Sequence, residues 1–131
     1  MINLLKNEPL SNYTTMKIGG PAKLLISAQS EDDLVEAFEY ASTNNLQIIV
    51  LGSGSNIVFS DKGFDGLVVI NRIKGLLMDS KTGIISAGSG ENWDSVVESS
   101  VKNGLSGIEA MSIIPGTIGA APVNNLSLIH I

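Results

Sequence analysis

A chain of 131 residues, 44% apolar and 16% charged, holds one domain or two very small ones and is apolar enough to bury a core, which excludes intrinsic disorder. Thirteen acidic against eight basic residues leave a net charge of −5, the wrong balance for a reader of phosphate backbones. Cysteine is absent and the single histidine is His130, so disulfides, thiolate metal sites, a cysteine nucleophile and an internal Ser-His-Asp triad drop out. No run approaches the roughly 18 apolar residues of a membrane span. Met1 to Leu10 carries Lys6 and Glu8 without a continuous apolar stretch, so no secretory signal is visible. The expectation is a soluble cytoplasmic protein with no nucleic-acid or membrane partner.

The first predicted strand is Lys23 to Ala28, after the turn signal Gly19-Gly20-Pro21. Ser30 opens a helix, with Asp33 as capping-box partner and Glu31, Asp32 and Asp33 placing negative charge in its first turn. Leu34, Ala37, Phe38 and Ala41 form the expected buried stripe, and Asn44-Asn45 ends the helix. The β-branched run Gln47 to Leu51 is a second strand and completes a β-α-β unit. Short strands are then expected at Ile57–Phe59, Leu67–Ile70, Leu76–Met78 and Ile84–Ala87, spaced for a small antiparallel or mixed sheet. A second helix starts near Glu91-Asn92, with Trp93, Val96, Val97 and Val101 on one face and Asn103-Gly104 as its stop. Ser112 to Asn125 reads as a short helix or tight loop.

Three glycine-containing segments are candidates for chemistry. Leu51-Gly52-Ser53-Gly54-Ser55-Asn56 has two glycines that let backbone N–H groups approach an anion, while Ser and Asn add donors. It is neither a Walker A loop nor G-x-G-x-x-G, and it joins strand to strand; a plain tight loop is the competing reading. Gly88-Ser89-Gly90 leads into the second helix and reads first as turn chemistry. Trp93 and Phe38 read as core residues. Arg72 and Lys74 read as a solvated strand end, with anion contact as the alternative. Ile114-Pro115-Gly116-Thr117-Ile118-Gly119-Ala120-Ala121-Pro122 is stiff and small-sided, suited to a flat ligand or to a packed helix cap.

Six blocks in order carry a resemblance: Thr14 to Ala22, Leu51 to Asn56, Val69 to Gly75, Ala87 to Trp93, Gly104 to Glu109 and Ile114 to Pro122. From about Asn12 to Asn125 the chain resembles the UDP-N-acetylenolpyruvoylglucosamine reductases, the NADPH- and FAD-dependent UDP-N-acetylmuramate dehydrogenases of peptidoglycan precursor synthesis. The resemblance implies an α+β, two-lobed FAD-binding domain of the vanillyl-alcohol-oxidase type: a β-α-β lobe, then a small mixed-sheet-plus-helix lobe. It implies an N-terminal extension over 1–12, the FAD domain over 13–125, and a non-family tail over 126–131 where a substrate domain is expected.

Carried over, the cofactor-binding residues are Leu51, Gly52, Ser53, Gly54, Ser55 and Asn56 on the FAD pyrophosphate. Ile114, Pro115, Gly116, Thr117, Gly119, Ala120 and Ala121 would lie along the flavin. With no histidine before 130, FAD is expected to be held non-covalently. The family's proton-donating Ser and its stabilising Arg and Glu belong to later segments, so no catalytic residue is assigned here. The UDP-sugar would be met through the missing domain, and turnover by this chain alone is not expected. Asn124 departs from the family's usual Gln or Met. A non-catalytic flavin or nucleotide-binding module, or another FAD-dependent oxidase of the same superfamily, are the alternative readings.

Overall fold

Leu24 to Ile26 and Leu67 to Ile70 are each three or four consecutive apolar residues, a pattern that suits strands covered on both faces. The computed structural model, which describes residues 3–124, places both at the centre of one sheet. The expected tail over 126–131, the domain end at Asn125 and His130 lie outside the described residues. The chain forms two units, divided between Arg72 and Ile73.

The first unit contains strands β1 (Leu5–Pro9), β2 (Pro21–Ala28), β3 (Gln47–Leu51) and β4 (Phe64–Asn71) and helix α1 (Glu31–Thr43). The sheet order is β1-β2-β4-β3. β4 runs parallel to β2 and to β3, and β1 pairs antiparallel with β2. Period-two alternation splits the buried residues between the two faces. Leu24, Ile26, Ala28, Leu67 and Val69 pack with Ala37 and Ala41 of α1. Leu25, Leu51, Val68 and Ile70 pack with Leu10 and Phe59 on the other side. The capping box of α1 forms as expected, Ser30 accepting from the Asp33 N–H at 3.2 Å while Asp33 accepts from the Ser30 N–H at 3.0 Å.

Four expectations change here. Residues 5–9 pair with β2, so the sheet takes in part of the stretch read as an extension over 1–12. Leu67–Ile70 joins β2 and β3 rather than a later sheet, because only a central strand hides both faces of that run. Ile57–Phe59 is not a strand: the Gly20 N–H donates to Ser60 O at 2.9 Å, tying this stretch to a turn while Phe59 enters the core. Phe38 is 49% exposed, so the stripe of α1 leaves it out and runs through Leu34, Ala37, Tyr40 and Ala41.

The second unit holds the two-stranded ribbon β5 (Leu76–Asp79) and β6 (Ile84–Ala87), helix α2 (Trp93–Lys102) and two short 3₁₀ turns, Glu109–Met111 and Ile118–Ala120. Asn92 caps α2, accepting from the Ser95 N–H at 3.0 Å. Trp93, Val97, Met111 and Ala121 make its small core, and the Trp93 Nε1–H donates to Met111 O at 2.9 Å. Trp93 is thus the core residue it was read to be. The helix face turns differently from expectation at its end, where Ser100 is buried and Val101 is 52% exposed. Ser100 fits because its hydroxyl is satisfied by Val97 O at 2.8 Å.

Candidate functional site

β3 and β4 deliver their carboxyl ends side by side, Leu51 opposite Ile70. Ligands of parallel sheets gather outside such ends, where loops leave the ladder and carry unpaired backbone groups. In the first unit a cleft of about 350 Å³ opens there, lined by Tyr13, Thr14, Lys17, Gly52, Ser53 and Arg72 among others. The loop that follows β3 is held from one side by the turn before it. The Thr15 N–H and hydroxyl both donate to Gly54 O, at 3.1 and 3.3 Å. Gly54 is buried with φ at +68°, and a Cβ there would stand 2.0 Å from Tyr13 O. A side chain is therefore impossible without moving the turn.

The other side of the loop is uncommitted. Among the described residues, no acceptor takes the N–H of Ser53, Gly54 or Ser55. Backbone donors without partners inside a protein are rare, and a run of them makes an anion cradle. The Ser53 hydroxyl donates to Ser55 Oγ at 3.1 Å, which keeps both hydroxyls on the loop. Lys17 and Arg72 line the same cleft, and neither has a carboxylate partner among the described residues. Two unpaired cations together, on a chain of net charge −5, concentrate positive potential at one place.

The turn that carries Lys17 is strained. Lys17 has φ at +57°, and the buried Thr14 hydroxyl donates to Ile18 O at 2.9 Å to hold the turn closed. Tyr13 donates its hydroxyl to Glu8 at 3.1 Å; burial first, and that bond second, hold the phenol above its ordinary pKa. It stays a neutral donor beside Arg72.

The residues assigned from the sequence fall in two groups. Gly52 and Ser53 line the cleft, Gly54 is wedged against Tyr13, and the Leu51 side chain is core rather than cleft wall. Ser55 is half-buried and Asn56 is exposed. Ile114 to Ala121 belong to the second unit, where Asn92 and Thr117 form an antiparallel bridge. Part of its backbone is already engaged: the Ile118 N–H on Glu91 O at 3.0 Å, the Gly119 N–H on Ser89 O at 2.8 Å. Gly88 and Gly90 likewise donate to Gly75 O and Ile73 O, which bears out their reading as turn chemistry. Lys74 is paired with Glu91 at 3.2 Å.

Tyr13, Thr14, Thr15 and Lys17 were not singled out as site residues. The sequence held a signal for Thr14, Thr15 and Lys17 in the block Thr14 to Ala22 that carries the resemblance, which does not say where the turn packs. Among the described residues no group of carboxylates or imidazoles could hold a metal, and no helix is long and apolar enough to cross a membrane.

Residues 22–129 match the family described as an FAD binding domain, and the chain belongs to that family of flavin-binding α+β domains. Its similar relatives share one more particular name. The UDP-N-acetylenolpyruvoylglucosamine reductase of Saccharopolyspora erythraea is 43% identical over 120 residues, 89% of this chain and 33% of the relative. That of Escherichia coli K12 is 33% identical over 122 residues, 92% of this chain and 35% of the relative. A solved UDP-N-acetylenolpyruvylglucosamine reductase from Thermus caldophilus superposes with a TM-score of 0.68 at 27% identity, over 92% of this chain and 41% of its own. The chain spans about a third of the length of the curated relatives it matches.

Proposed function

We propose that this chain is the FAD-holding part of an NADPH-dependent enzyme that reduces UDP-N-acetylenolpyruvoylglucosamine in the cytoplasm, a step of peptidoglycan precursor synthesis and hence of cell-wall growth and division. One observation carries the placing of the cofactor. The N–H groups of Ser53, Gly54 and Ser55 and the cations of Lys17 and Arg72 are the uncommitted donors and charges around one cleft.

These residues fit a dinucleotide's pyrophosphate. The amides of the 52–56 loop would bond its oxygens, and Lys17 and Arg72 would neutralise its charge. Ser53 and Ser55 would fix the loop through their mutual hydroxyl bond, and Thr15 would hold the loop's far side through Gly54 O. FAD, when bound, supplies a centre that accepts and passes on a hydride. Ile114, Pro115, Gly116, Thr117, Gly119, Ala120 and Ala121 are the proposed flavin-side segment. The Gly119 amide is engaged with Ser89 and those of Ala120 and Ala121 within the segment itself, so this end of it would offer a stiff, small-sided wall rather than a set of free donors. No side chain in either segment is a proton donor to substrate on this reading, and FAD is held without a covalent bond.

The test is a titration of the whole chain with FAD, followed by flavin fluorescence, and then acid precipitation of the complex. Saturable binding, competed by ADP, with all flavin in the acid supernatant is the expected result. No binding, or colour left on the pellet, would overturn the proposal.

A further inference from the structure

Glu91 and the first turn of α2 grip the chain between Met111 and Ile118 at four points. Glu91 O accepts the Ile118 N–H at 3.0 Å, the Trp93 N–H donates to Gly116 O at 3.1 Å, and the Trp93 indole donates to Met111 O at 2.9 Å. The fourth is a side chain. Asp94 Oδ1 accepts both the Ser112 hydroxyl, at 2.8 Å, and the Ile113 N–H, at 2.6 Å.

Ile113 is where this last contact matters. Its φ is +67°, in the left-handed region that a β-branched residue avoids, and its side chain is 84% exposed. Packing therefore gives almost nothing back for the strain. The Met111 and Gly116 contacts fix the chain on either side but not the residue between them. What holds Ile113 in its conformation is the pair of hydrogen bonds to Asp94.

We propose that Asp94 is a positioning residue: it locks Ile113 in the left-handed conformation and so sets the direction in which Ile114 to Ala121 leaves the Glu109–Met111 turn. Asp94 touches no cofactor in this role; it acts through the loop. Its place in the first turn of α2 favours the charged form, and the Ile113 N–H and the Ser112 hydroxyl hold its pKa below the ordinary carboxylate value. Both donors meet the same oxygen, so an amide oxygen serves the geometry equally well. The effect on cofactor affinity rests on the reading of Ile114–Ala121 as the flavin-side segment; the lock itself does not.

The experiment uses the whole chain and the variants Asp94→Ala, Asp94→Asn, Ile113→Gly and Asp94→Ala/Ile113→Gly. The first readout is amide hydrogen exchange at Ile113 without flavin. The N–H should be protected in the wild type and in Asp94→Asn, and should exchange at least about tenfold faster in Asp94→Ala. The second is FAD affinity, weaker by about tenfold in Asp94→Ala and returned to near wild type by Asn, or by glycine at 113. If Asp94→Ala fails to fold, recovery of folding in the double variant supports the lock, and continued failure overturns it. An unprotected Ile113 N–H in the wild type overturns the lock. Loss of protection with unchanged FAD affinity shows Asp94 to be structural and overturns the positioning role. A wild type that protects Ile113 but binds no FAD supports the lock and overturns the flavin reading instead.

Discussion

The two units carry glycine-rich segments that look alike in sequence and behave in opposite ways. In the first unit, Gly52-Ser53-Gly54-Ser55 leaves the sheet with its N–H groups unclaimed and two cations nearby. In the second, Gly88 and Gly90 donate to Gly75 O and Ile73 O, Gly119 donates to Ser89 O, and Lys74 is neutralised by Glu91. Glycine content alone thus says that two stretches of backbone come close to something. Only the hydrogen-bond account says whether that something is a ligand or more protein.

The sharpest way to break this contrast is to add one methyl group to each loop. In Gly54→Ala the new Cβ would meet Tyr13 O at 2.0 Å and Thr14 Cα at 3.0 Å, in a buried left-handed residue. The expected loss of stability is about 3 kcal/mol or more, enough to unfold the first unit, whose signature would be a lost thermal transition. Gly116→Ala is the comparison: φ is +138° but nothing lies within 4 Å of its Cβ. Only backbone strain remains, about 1–3 kcal/mol. A replacement of Gly54 by aspartate is for the same reason a test of folding before it is a test of flavin binding.

Charge is the next discriminator. Arg72→Ala and Lys17→Met each remove an unpaired cation from the cleft, and each should weaken FAD binding by about tenfold with a shallower salt dependence. Lys74→Ala removes a cation that already has a partner in Glu91, and should leave FAD affinity within about twofold. Equal effects at all three positions would show general electrostatic attraction rather than a site in the first unit.

Much of the first unit was legible because its physics is local. The capping box at Ser30 and Asp33 and the strands at Lys23–Ala28 and Gln47–Leu51 are set by neighbours in sequence. The place of β4 was not, since a strand buried on both faces gives no alternation to read and its parallel partners lie far away in the chain. The site divides the same way. Gly52 and Ser53 announce a close approach, but Lys17 joins them only because the Thr14–Ile18 turn folds back under Gly54. Nothing near Lys17 in sequence carries that information.

A smaller effect in the second unit is set by pH. Glu91 accepts the Gly75 N–H at 2.9 Å and pairs with Lys74, and these hold its pKa below the ordinary value, the Gly75 bond being the larger cause. A carboxylate whose folded pKa is depressed stabilises the fold above its unfolded pKa, and that contribution is lost as pH falls through the folded value. Melting of the second unit should therefore shift downward as pH drops below about 4.5, and less so in Glu91→Gln. Arg72→Ala removes neither partner of Glu91 and should leave the slope as it is.

The smallest expected effect concerns the outer face of α1, where sequence periodicity and structure part company. Phe38 fits a helical stripe with Leu34 and Ala41, yet its ring is 49% exposed while Ala37 beside it is fully covered against the sheet. The stripe is narrow because Ala37 and Ala41 bring the helix close to Leu24, Ile26, Leu67 and Val69, and the next position already turns past the contact. Phe38→Ser should then change stability by no more than about 1 kcal/mol, the helix propensities of the two residues being close. Ala37→Leu should cost about 1–3 kcal/mol, since three added carbons have no room between helix and sheet. Thermal melts of the two variants decide it. A Phe38→Ser loss as large as that of Ala37→Leu would mean that α1 packs through Phe38, and that the sheet face is covered by a wider stripe than Leu34, Ala37, Tyr40 and Ala41 provide.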